Sequence, residues 1–179
     1  MRTVTFILCL FALLSATYVN AEQEINDPRS AQAEQLAEQL MGQLKHELLA
    51  GLKQGPEAAI NICRQKAPQI AQQLTTPGVQ IGRVSHRPRN PNNRVQSWQE
   101  GLMAEYLKAN APQPAKSVLL ANGSLALVKP IYMVAPCLRC HGENISPQLS
   151  HEIALHYPQD QAQGFKLGEF RGLTWVIIK

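Results

Sequence analysis

The sequence is short of charge, of aromatic rings and of long apolar runs. Charged residues make up 17% of its 179 positions and aromatic residues 6%, against about 25% charged in an ordinary soluble domain. With 45% apolar residues, the chain can bury a core and wholesale disorder is excluded. The net charge is +4 with no Lys/Arg cluster, so nothing points to nucleic acid. Glutamine is scattered rather than gathered in a tract, which excludes a low-complexity segment. No internal repeat is present, and the length suits one domain.

The one concentrated apolar run, Phe6 to Leu14, is less than half of the roughly 20 residues a membrane span needs. Arg2 before it and Val19-Asn20-Ala21 after it give the layout of an export signal cleaved after Ala21. An uncleaved anchor is the alternative. Cleavage leaves residues 22–179 as a single exported, periplasmic domain with no stable membrane span and a net charge of about +3. Cys9 departs with the leader, since Phe6-Ile7-Leu8 lacks the small residues of a lipoprotein site.

Three cysteines remain, Cys63, Cys137 and Cys140. An odd count in an exported protein leaves a thiol that disulfides alone cannot explain. Leu36, Leu40 and Leu44 recur with Ala33 and Ala37 at spacings of three and four. This predicts a long amphipathic helix over 31–53. A second helix is expected over 57–74, kinked at Pro68 because that residue has no N–H to donate. On it Ala59, Cys63, Ile70 and Leu74 share one stripe, which turns Cys63 inward. A strand is expected over 79–85, turns at Arg87 to Asn93, and a helix over 95–109. A hairpin about Asn122-Gly123 and a final strand over 172–178 follow. Pro130 limits its strand to an edge, a bulge or an early end. Helices followed by an antiparallel sheet make the fold class α+β.

Chemistry concentrates at Cys137-Leu138-Arg139-Cys140-His141. This C-x-x-C-H pattern is the attachment sequence of c-type haem. Two thiols three residues apart can add to the two vinyl groups on one porphyrin edge, and the adjacent histidine supplies an iron ligand. One motif implies one covalent haem c. A thioredoxin-like C-x-x-C normally opens a helix in a βαβ unit, whereas this one follows a hairpin. Structural zinc would need Cys63 to complete a Cys3His set, and a plain disulfide is the remaining alternative. Candidates for the second axial position are Cys63, Met41, Met103, Met133, His46, His86, His151 and His156. Cys63, inward and unpaired, leads them. His46, His151 and His156 read as surface histidines, and Met133 and Met103 as packing. Arg83, Arg87 and Arg89 are candidate partners of the haem propionates, since Arg–carboxylate pairs are common at such edges.

Ala58 to Cys63, Ala67 to Ala71, Ile81 to Ser85, Arg89 to Asn93, Pro130-Ile131 leading to Cys137 to Gly142, and Gly164 to Gly172 together resemble a known family. It is that of exported, single-haem c-type domains with a PAS-like fold. The resemblance implies a five-stranded antiparallel sheet with flanking helices, and an iron held by His141 and Cys63. Such domains occur alone or as the sensing part of kinases and chemoreceptors. The sequence ends at Lys179 without a signalling module, so a sensor acting through its own kinase is not expected. A thiolate ligand lowers the iron potential relative to Met/His ligation. The expected roles are therefore redox or small-gas sensing, or low-potential electron transfer with a redox partner protein. The chain is not expected to be an enzyme. Peroxidase-like chemistry at an open iron, with His86 or Arg83 as distal groups, is the competing reading; a non-haem zinc or thiol-redox domain is another.

Overall fold

The computed structural model describes residues 26–179; the expected export signal lies outside them. Helix α1 spans Arg29–Gln54, close to the predicted range. Its backbone start is held by Asp27, whose carboxylate accepts from the Arg29 N–H at 2.9 Å. The Arg29 guanidinium reaches on to the carbonyls of Gly123 and Ile178, tying the helix to the sheet. It ends at Gly55, whose φ of 118° favours glycine.

Helix α2, Pro56–Asn61, opens on proline at its first turn, where a missing N–H costs nothing. The predicted single helix does not continue from there. Residues Ile62–Lys66 form a π-turn in which the Ala67 N–H bonds to the Ile62 carbonyl, five residues back. Helix α3 then covers Ala67–Leu74. Pro68 explains the break, since its ring clashes with the carbonyl four residues back and a wider turn relieves the clash.

The sheet is antiparallel with four strands in the order β1-β4-β3-β2: β1 Val79–Val84, β2 Lys116–Leu119, β3 Leu125–Tyr132 and β4 Phe170–Ile178. The fold is thus α+β. Among the described residues, four strands stand where the resemblance implied five. The chain after Ser85 is taken up by turns and by the short 3-10 segment Pro91–Asn93, with only an isolated bridge, Ser85 to Arg94. The hairpin falls at Asn122-Gly123 as expected, with Gly123 at φ 78° and its N–H on the Leu120 carbonyl at 2.8 Å. Strand β2 reaches only to Val128 of β3. Pro130 therefore lies beyond it, beside β4 alone.

Strand alternation sorts the two faces. Val79, Ile81, Leu125, Leu127, Val176 and Ile178 pack under Ala33, Ala37, Leu40 and Ile70 of α1 and α3. Leu40 is fully buried, worth about 1.5–3 kcal/mol over exposure. The opposite face carries Val84, Val128, Phe170 and Leu173 against Met103 and Tyr106. These two belong to α4, Glu100–Lys108. The expected helix over 95–109 is shorter than predicted, because a 3-10 turn at Ser97–Gln99 precedes it. Strand β4 carries an extra residue, Arg171, between the pairs Ile131–Gly172 and Tyr132–Phe170. Beyond β3 lie two helices that frame the motif: α5, Leu138–His141, and α6, Pro147–His156. No helix among the described residues is long and apolar enough to cross a membrane.

Candidate functional site

The motif is held between two small apolar clusters. Cys137 and Leu138 rest on Met133, Ala162 and Phe165, while Cys140 packs beside Ile60, Leu149, Ile153 and Tyr157. Ile60 belongs to α2, one helical turn before Cys63. The same α2–α6 packing that buries Ile60 thus carries the π-turn toward the motif. All three thiols are free.

Cys63 does not enter the packed core, which corrects the expectation drawn from its stripe. Its phase is reset by the π-turn, which adds a residue between Ile60 and Ile70. The residue is exposed to solvent, yet neighbouring protein partly desolvates its sulfur. That desolvation pushes the thiol above its ordinary pKa, while Arg83 and Arg89 pull it down and Cys137 pushes it up. Burial likewise raises the Cys140 thiol against the pull of Arg89. Burial and the Cys63 thiol push the Tyr157 phenol up to about 12. The groups that perturb one another here are Cys63, Cys137, Cys140, Arg83, Arg89 and Tyr157. They come from the π-turn, β1, the following loop, the motif and the end of α6.

His141 is oriented by a strap, the loop from Asp160 to Phe165. Its Nδ1 lies 2.7 Å from the Ala162 carbonyl oxygen. Since a carbonyl only accepts, Nδ1 carries the proton and Nε2 keeps its lone pair. The Phe165 N–H donates to the His141 carbonyl and the Gly164 N–H to that of Gly142, each at 2.9 Å. Burial holds the imidazole well below its ordinary pKa, with Arg89 and Arg171 acting in the same direction. The ring is neutral, as a metal ligand must be.

The arginines divide by role. Arg89 is a strut: its Nε donates to Asp160 Oδ1 and its Nη2 to Asp160 Oδ2, both at 3.1 Å. The same Nη2 reaches the Cys140 carbonyl at 2.6 Å and the Ala162 carbonyl at 3.2 Å. Most of the fork expected to face a propionate is thus committed within the protein. Arg87 lies over the Phe165 ring at 4.1 Å and 3.5 Å from Glu169. Arg171 donates to Ser85 Oγ and to the Arg87 carbonyl. Its pKa falls to about 10 through burial and the charges of Arg89 and Arg83. Arg83, on β1 beside Cys63, is desolvated, and its side chain makes no hydrogen bond or ion pair among the described residues. Opposite it in the strand pairing is Thr174, whose buried hydroxyl also has no partner.

The other candidates fall away from this cluster. Met103 and Met133 are buried at 4% and 2% exposure within apolar clusters. His46 lines an open groove between α1 and α3. His151 is exposed and His156 lies 4.0 Å from Glu152. His86 stacks on Phe170 with centroids 5.9 Å apart and borders a separate cavity of about 310 Å³. Met41, on α1, is half-buried. No group of three or more His, Cys, Asp or Glu that could grip a metal ion occurs among the described residues. A compact Cys3His zinc set is therefore not drawn up. Sequence reasoning missed Asp160 and Ala162. Neither stands in a recognisable motif, and their importance comes from what the fold brings to them.

The fold and this cluster define a class: an α+β domain whose C-x-x-C-H segment is strapped down by the loop from Asp160 to Phe165, within electrostatic reach of a third cysteine. Residues 12–179 match the Tll0287-like family, and the chain belongs to it. A solved structure, that of the cyanobacterial heme-protein Tll0287, is similar at 23% identity with a TM-score of 0.57, covering 81% of this chain and 88% of that one. No curated protein matches.

Proposed function

We propose that this chain is an exported, single-haem c-type protein of PAS-like architecture, serving redox or small-gas sensing or low-potential electron transfer. Cys137 and Cys140 would carry the thioether links, His141 Nε2 one axial position and Cys63 the other. The observation that carries this reading is the 2.7 Å contact of His141 Nδ1 with the Ala162 carbonyl oxygen. The Nδ1 proton is committed to Ala162, which aims a free Nε2 away from the strap. Membership of the family that includes a haem protein supports the same reading.

The charge of the cluster also suits haem. Around it Arg83, Arg87, Arg89 and Arg171 outnumber the carboxylates Asp160 and Glu169. A ligand with two propionates would offset that excess. Arg83, whose head has no partner of its own, is the residue we assign to a propionate. Haem supplies a one-electron couple at its iron. The protein's part is to orient His141 and to hold the Cys63 sulfur where Arg83 and Arg89 favour its thiolate. With Cys63 coordinated no iron position is open, so we do not propose an enzyme. His86, held among aromatic rings, is not offered as a distal acid or base.

The test is the absorption spectrum of the oxidised and reduced protein, made with a haem-attachment system, beside Cys63→Ala. Covalent haem that is low-spin in the wild type and high-spin in the variant is the expected result. A wild type already high-spin moves the enzyme reading ahead. Absence of any haem band leaves zinc or thiol redox.

A further inference from the structure

We propose that Asp160 is a positioning residue for the haem iron: through Arg89 and the Ala162 carbonyl it fixes the His141 ring and sets how strongly Nδ1–H is donated. This rests on the reading of the chain as a haem protein.

Four contacts converge on one short loop. Asp160 is 4% exposed and its partner Arg89 10%, so the pair is largely out of water. Besides the two Arg89 bonds, Asp160 accepts the Ala162 N–H and the Gln163 side-chain amide, each at 2.9 Å. The carboxylate thus fixes the backbone of the very residue whose carbonyl receives His141. Arg89, once anchored, donates to that carbonyl and to the carbonyl of Cys140, the motif residue before His141. The guanidinium is therefore bolted to the histidine's acceptor and to its own chain at once. A planar fork suits this work, and a lysine ammonium cannot copy it.

Two consequences follow for an iron bound at Nε2. Donation from Nδ1–H at 2.7 Å gives the ring anionic character and makes it a more basic ligand, which favours oxidised iron. The Asp160 charge also cancels that of Arg89 beside the iron. Removing the carboxylate weakens the first effect and unmasks the cation. Both changes disfavour oxidised iron, so both raise the midpoint potential.

The experiment uses haem-loaded wild type, Asp160→Asn, Asp160→Glu and Arg89→Lys, read by redox titration and by electron paramagnetic resonance of the oxidised protein. Ring 15N shifts of His141 in the haem-free protein give a readout independent of the iron. Expected for Asp160→Asn are a raised midpoint potential, an altered g-anisotropy, and a ring that loses its single Nδ1-protonated form. Asp160→Glu restores part of each. Arg89→Lys reproduces the loosened ring while keeping the cation, so it serves where Asp160→Asn fails to fold. Loaded variants with wild-type potential, resonance and ring shifts overturn this assignment alone. A wild type that takes up no haem overturns the parent reading and this assignment together.

Discussion

Replacing Arg89 with leucine isolates what the clamp contributes to stability. The substitution leaves Asp160, 4% exposed, with only the Ala162 N–H and the Gln163 amide as donors. Breaking a buried pair from one side costs about 3–5 kcal/mol, because a charge is left without its counterion. With a urea m-value of about 2 kcal/mol/M, the unfolding midpoint falls by about 2 M. The sign of the pH dependence is also fixed. In the wild type, burial alone would raise the Asp160 pKa, but Arg89, Gln163 and the Ala162 N–H hold it below the ordinary value. Its contribution is therefore complete above the unfolded pKa of about 3.9 and is lost only as pH falls through the depressed folded value. In the variant the burial penalty stands unopposed by Arg89 and the folded pKa rises. The orphaned carboxyl then takes up a proton in mild acid, and the destabilisation at pH 4.5 is smaller than at pH 7. Glu38→Gln is the control. It breaks the Lys129–Glu38 pair, in which the glutamate is 65% exposed, and should cost no more than about 0.5 kcal/mol. Equal costs for the two variants, or an Arg89→Leu penalty that does not shrink in acid, would refute the reasoning.

Ile153→Ala removes a fully buried side chain from the cluster that seats Cys140. It should destabilise the fold by about 2–5 kcal/mol in urea titration. Gly172 stands beside the bulge of β4 at φ 151°, and a Cβ there would collide with the Val84 carbonyl oxygen; Gly172→Ala should cost at least about 1–3 kcal/mol, read as a lowered midpoint. Gly142 closes the motif, and a Cβ on it would stand 2.5 Å from the Leu138 carbonyl oxygen. Gly142→Ala must therefore displace the chain at His141, and the yield of covalent haem per protein, measured as pyridine haemochrome, should fall. A wild-type yield would show that attachment tolerates a shifted histidine.

Much of the fold was legible because it depends on local chemistry. The Leu/Ala stripe of α1, the Asn122-Gly123 turn and the β-branched run of β4 each carry their own signal, and each lies close to where it was expected. The second helix was misread for a reason that is also local. Pro68 announced a disturbance, but a kink and a π-turn relieve the same clash, and the sequence does not choose between them. The choice matters, because a π-turn advances the helical phase. It moved Cys63 from an inferred core position to an exposed one, so the inward placement expected of this thiol did not hold.

The motif itself was visible because its two cysteines and histidine stand at a recognisable spacing, and no such spacing marks its support. Arg83 and Arg89 are two strand-and-turn arginines six residues apart, equivalent by any sequence criterion. The fold separates them, leaving the Arg83 side chain without a hydrogen-bond or ion-pair partner among the described residues and engaging Arg89 on Asp160 and two carbonyls. What distinguishes them is a single aspartate 71 residues downstream, in a loop with neither motif nor periodicity. Asp160 has to lie in a loop, because it must meet three donors approaching from different directions. The C-x-x-C-H pattern is thus legible in the sequence, whereas the support of its histidine depends on a long-range ion pair that only the folded chain brings together.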